Sequence, residues 1–154
     1  MSALKNINQE KAAQVLFVLF LAAALWEQFA PQPGMMEYNQ AKLVMKSDPS
    51  PDDEKKACNL FATAVRAGNK DAAFGLADCI GKSHIGDEIQ RNSIRYALLT
   101  IAMDARHETR SARNERDALG LTDAQKKEAL KLDVMKILSS DISALDLSSA
   151  GVVK

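Results

Sequence analysis

Residues 12–30, "AAQVLFVLFLAAALWEQFA", are interrupted only by Gln14, Glu27 and Gln28 and are apolar on every face if wound as a helix. A helix hydrophobic all round belongs inside a large protein or in lipid. With 154 residues the chain has room for one modest domain and an appendage, too little to bury such a helix as well. Wound as a helix, the run covers about 28 Å, close to the hydrocarbon thickness of a bilayer. Trp26 stands at its far end, where an aromatic ring favours the membrane interface. Lys5 and Lys11 precede the run and Glu27 and Glu37 follow it, an asymmetry that places the N-terminus in the cytoplasm and the bulk outside. Two other readings stay open. A basic start, an apolar middle and the alanines at 22–24 also describe a signal peptide cut after Ala24, and the segment is also readable as the first helix of a soluble core. The expectation taken forward is a bacterial inner-membrane protein with a single-pass anchor, or signal peptide, over 1–30, a cytoplasmic N-terminus and a periplasmic helical domain.

Twenty basic residues balance twenty acidic ones, so no broad field attracts nucleic acid. Aromatics are 5% of the chain and alanine and leucine recur throughout, which suits helices packed closely through small side chains. An all-α protein is expected.

The breaks in the chain divide it further. "PQPG" at 31–34 ends the first helix, since proline lacks a donor and disfavours helix in the residue before it. Residues 31–50 form a linker and a short helix, "MMEYNQAKLVMK", with Tyr38, Ala41, Leu43 and Met45 facing inward. Ser50, Pro51 and Asp53 then make a capping-box start, with acids near the positive helix end. That helix buries Ala57, Leu60, Phe61, Ala64 and Val65 and closes at Gly68, while Asn69 caps its successor, which buries Ala72, Phe74, Leu76 and Ile80. A longer helix over 87–106 carries Ile94, Ala97, Leu98, Ile101 and Ala105 at helical spacing. "ETRSARNERDALG" reads as a solvated charged helix ending at Gly120. Thr122 and Gln125 open a last helix with Leu130, Val134, Ile137 and Leu138 on its core face, followed by a C-terminal tail over 139–154.

"KKACNLFATAVRAGNKDAAFGLADCIG", residues 55–81, resembles a repeat of the Sel1-like group, the tetratricopeptide-related helical hairpins. The matching residues are Ala57, Phe61, Ala64, Ala67 and Gly68 before the turn and Ala72, Phe74, Leu76 and Ala77 after it. "RNSIRYALLTIAMDAR" is similar to the second helix of another unit, and "LGLTDAQKKEALKL" to the capping segment of such arrays. The resemblance covers about residues 51–132 and implies a short stack of antiparallel helices over 51–138, with the 35–46 helix or a partner over its N-terminal edge. It implies protein binding rather than chemistry.

Cys58 and Cys79 fit neither a C-x-x-C motif nor a zinc knuckle. With a turn between Gly68 and Asn69, each lies about ten residues from it, so antiparallel helices of equal rise bring the two level. The small Ala57, Ala62 and Gly75 permit the close approach a disulfide requires. A disulfide is expected in an oxidising compartment, two buried thiols in a reducing one.

Catalytic signatures are missing from the sequence. His84 sits in the "GKSHIGD" loop and His107 follows Asp104, and no H-E-x-x-H or cysteine–histidine cluster accompanies either. No phosphate loop or nucleophile elbow is present. Asp52 and Asp53 are explained by helix-start electrostatics, and Met35, Met36 and Met45 by flexible packing. The expectation is a non-catalytic, membrane-anchored adaptor or accessory subunit without cofactor, metal, nucleic acid or small-molecule substrate. Its partners would be the proteins of a membrane complex, and the bilayer itself through the first helix. The alternative is an exported inhibitor or immunity-type protein with its signal removed.

Overall fold

The structure is a computed structural model in which residues 11–22, 32–46, 48–83 and 86–139 are described. The expectations at Trp26, at the cleavage point after Ala24, at His84, at the Leu138 side chain and along the tail from 140 lie outside those residues. All regular elements among the described residues are helices. The chain divides into two compact units, Met1–Pro31 and Gln32–Lys154.

In the first unit the described residues, 11–22, are helical (α1) and every one of them is exposed. Leu16 and Phe20 keep 67% and 71% of their surface in solvent. Here the structure corrects the sequence reading: among the described residues no helix is long and apolar enough to cross a membrane. The single-pass inner-membrane anchor, with its cytoplasmic N-terminus and periplasmic domain, is therefore withdrawn.

The second unit contains α2 (Met35–Met45), α3 (Pro51–Arg66), α4 (Ala72–Lys82), α5 (Glu88–Ala102), α6 (Thr109–Ala118), α7 (Asp123–Ala129) and α8 (Val134–Ser139). Helix α3 begins where the Ser50 hydroxyl accepts from the Asp53 N–H at 3.2 Å and the Asp53 carboxylate accepts from the Ser50 N–H at 3.3 Å. It ends at Gly68, whose φ of 96° suits a residue without Cβ. The Gly68 N–H donates to the Val65 carbonyl and the Asn69 N–H to the Ala64 carbonyl, both at 2.9 Å, the paired bonds of a Schellman turn. Asn69 Oδ1 then accepts from the Ala72 N–H at 3.1 Å and opens α4. The two helices meet through small residues, since Ala57, Ala62, Ala64, Ala72, Ala73 and Ala77 have no exposed surface. A Cβ on Gly75 would stand 2.6 Å from Phe61 Cζ, so the aromatic ring lies directly on the glycine backbone.

Helix α2 packs on α3 and belongs to this unit's core through Tyr38 and Ala41. Leu43, expected inward, is 68% exposed. Five residues beyond Tyr38 at about 100° per residue put it well away from the buried stripe, whereas Ala41 and the partly buried Met45 stay on it.

Helix α5 stops at Ala102, short of the expected 106. The buried Asp71 Oδ1 accepts the His107 N–H at 3.0 Å, a donor that a continued helix would have used on the carbonyl four residues back. The expected single helix after Thr122 is two. Helix α7 has its capping box from Thr122 and Gln125 and ends at Ala129, and Asp133 Oδ1 accepts the Lys136 N–H at 3.0 Å to start α8. Leu130 is thereby 57% exposed rather than in the core, while Val134 remains buried.

Candidate interaction groove

Three helices with one aromatic each build a concavity in the second unit. Tyr38 of α2, Phe61 of α3 and Phe74 of α4 line a groove of about 730 Å³. The Phe61 ring, held flat by Gly75, stands 6.2 Å from Tyr38 at an interplanar angle of 54°. Tilted pairs at this distance are favourable. The floor is therefore aromatic and apolar.

Its walls carry opposite charge. On the α2 side stand Lys42, Leu43 and Lys46, and on the other side Asp78 of α4, Glu108 before α6 and Glu115 within α6. Lys42 spans one end, with its ammonium 5.4 Å over the Tyr38 ring, 3.4 Å from the Tyr38 hydroxyl and 3.7 Å from Glu108 Oε1. The hydrogen bond with Tyr38 is the main cause that holds this lysine above the ordinary lysine range, and the Glu108 carboxylate adds to it against partial desolvation. Asp78 pairs with Lys82 at 2.9 Å, which raises the Lys82 ammonium in the same way. Glu115 pairs with Arg95 of α5. Among the described residues Lys46 enters no ion pair and is exposed.

Beneath the groove, Cys58 and Cys79 stand at disulfide distance, with sulfurs 2.06 Å and Cα atoms 5.8 Å apart, each 3% exposed. Beside them in sequence, Phe61 follows Cys58 by one helical turn and Asp78 immediately precedes Cys79, so this link ties the floor to the acidic wall. His107 contributes its backbone N–H to Asp71, and its side chain is exposed. Among the described residues no group of three or more histidine, cysteine, aspartate or glutamate side chains is placed to hold a metal ion.

Asn69, the expected cap of α4, is 2% exposed, and Asp71, which the sequence reading did not single out, is 1% exposed. Both follow the hairpin turn, where Asn69 caps α4 and Asp71 holds the turn after α5. The groove escaped the sequence reading too. The only signal for it in the sequence is that α2, α3 and α4 each carry one aromatic beside small residues, and that pattern equally describes a closed core.

No known protein family, no curated protein and no solved structure matches the chain. The fold and the groove thus define a class, an all-α protein built around a hairpin with a cysteine pair at disulfide distance. No relative narrows it further.

Proposed function

We propose that this chain is an exported, non-catalytic helical-repeat protein, of the accessory or inhibitor type, that works by holding another protein chain in the groove between α2 and α4. The groove carries the reading. Its apolar floor and charged walls are the surface that receives an amphipathic helix, whose apolar face fills the floor and whose flanks meet the charges. Export is supported by two features. The uninterrupted apolar run "VLFVLFLAAAL", residues 15–25, has the length of a signal-peptide hydrophobic region, and a cysteine pair at disulfide distance suits an oxidising compartment.

The test combines location with contact. Intact mass of the protein from its native cells should give a product starting near Leu25, outside the cytoplasm, with both cysteines oxidised. A photo-crosslinking amino acid at Asn39, an exposed groove residue, should give a discrete protein adduct that Leu43→Glu abolishes. A cytoplasmic product that keeps Met1 and two free thiols refutes export. Failure to crosslink to any protein refutes the binding role.

A further inference from the structure

We propose that the occupant of the groove is the α2 helix of a second copy of this chain, so that two copies form a two-fold dimer with Leu43 of each seated in the groove of the other. The inference rests on the reading of the groove as a protein-binding surface and names the partner for it.

The first argument is the unburied apolar stripe of α2. Met36 and Leu43 are 70% and 68% exposed, and their spacing of seven puts them on one stripe about 10.5 Å apart. Asn39 and Lys46 continue that stripe at three- and four-residue steps, and Asn39, Leu43 and Lys46 line the groove. The same helix edge therefore forms one wall of the groove and offers the apolar knob that an aromatic floor accommodates.

The second argument is charge. An isologous interface sets each patch against itself turned through half a revolution. A groove with two walls of one sign would then meet its own charge. This groove is lined by Lys42 and Lys46 of α2 and by Asp78 of α4 and Glu115 of α6, the acids already holding Lys82 and Arg95, so a two-fold axis running along the groove brings the basic α2 edge of each copy to the acids of its partner. Lys46, without an ion pair among the described residues, is the cation left to make that contact, and Asp78 is the acid it meets. A formal net charge of zero removes the overall repulsion that keeps many small domains apart.

The experiment uses the full chain in sedimentation equilibrium across a concentration series, with circular dichroism to confirm that each variant is folded. The wild type should be dimeric, and Leu43→Glu, at a site exposed in the single chain, should weaken the dimer by more than about tenfold. Lys46→Glu and Asp78→Lys should each weaken it about tenfold, because each places like charges at both symmetry-related contacts. Mixed in equal amounts, those two variants should form a heterodimer within about threefold of the wild-type strength. One contact then has both charges reversed and the other keeps the native pair. A wild-type chain that stays monomeric overturns the proposal, and so does a mixture that forms no heterodimer. A dimer indifferent to Leu43 overturns it as well, since the exposed α1 would then be holding the copies together. Monomers that still give an Asn39 crosslink to a different protein overturn the second copy as occupant while leaving the protein-binding reading in place.

Discussion

The α3–α4 hairpin and the α6–α8 segment are both short helices joined by tight turns, yet different forces hold them. In the hairpin the contact is nearly solvent-free: Val65, Leu76 and the facing alanines are at most 1% exposed, and the cysteine pair crosses the interface. In the α6–α8 segment, Ala112, Leu121, Ala129 and Val134 are the buried apolar residues among the described side chains. The α7 capping box and surface pairs such as Lys131–Glu128 complete it, and exposed pairs of this kind contribute little. The hairpin is therefore the stability centre, and the C-terminal helices are an attached layer whose ends open first.

The sharpest way to break that contrast is Leu76→Ala. The side chain is fully buried, so its truncation removes burial and leaves a cavity, costing about 2–5 kcal/mol. Chemical denaturation monitored by circular dichroism measures it, and a loss below about 1 kcal/mol would remove the hairpin as the centre of stability.

Next in size is the paired Cys58→Ala, Cys79→Ala variant. Loss of a crosslink across this hairpin should lower unfolding free energy by about 2–4 kcal/mol in oxidised protein. The same denaturation with and without reductant checks it, since reductant should shift the unfolded wild type toward the variant and leave the variant unchanged.

In the attached layer the effects should be smaller and should separate by mechanism. Thr122→Ala deletes a hydroxyl that accepts the Gln125 N–H and should cost about 1 kcal/mol. Leu130→Lys alters a residue that is 57% exposed and should change stability by less than about 0.5 kcal/mol. Equal, large losses for the two would mean that α7 and α8 form the continuous core helix suggested by sequence periodicity.

The smallest effects concern pH. Hydrogen bonds from the Ser50 side chain and backbone hold the Asp53 carboxyl below its ordinary value of 3.8. A folded value below the unfolded one means that the capping contribution is complete above 3.8 and is lost as pH falls through the folded value. Carbon-detected NMR titration should find the Asp53 midpoint below 3.8, and Ser50→Ala should move it back up. Lys42 works in the opposite sense. Its raised value means that its contribution is complete below 10.5 and disappears as pH rises through the folded value, so neutral and mildly alkaline solutions leave the Lys42 bridge intact.

How far these regions were legible in the amino-acid order follows from where their determinants lie. Ser50, Asp53, Gly68 and Asn69 act within a few residues of themselves, so both helices and their turn could be read directly, and the level placement of Cys58 and Cys79 was a matter of counting from that turn. Leu43 and Leu130 were misplaced because an apolar residue was taken as a core residue, although Leu43 lies off the Tyr38 stripe and Leu130 follows the last residue of α7. The start of α8 had a local signal that went unused, Asp133 three residues before the N–H it accepts. The turn after α5 had none, since it is held by Asp71, separated from His107 by 36 positions.

By itself, then, the sequence determined the all-helical class, the caps, the hairpin and the equal distance of its cysteines from the turn, because each rests on helix geometry or on contacts a few residues long. Tertiary structure decided the rest. That a distant carboxylate holds the turn after α5, and that Tyr38, Phe61 and Phe74 converge on one groove, both depend on how separate helices come together. Local propensity contains no information about that convergence: the groove exists only because the alanine and glycine contacts let α3 and α4 approach closely enough for Phe61 to lie on Gly75.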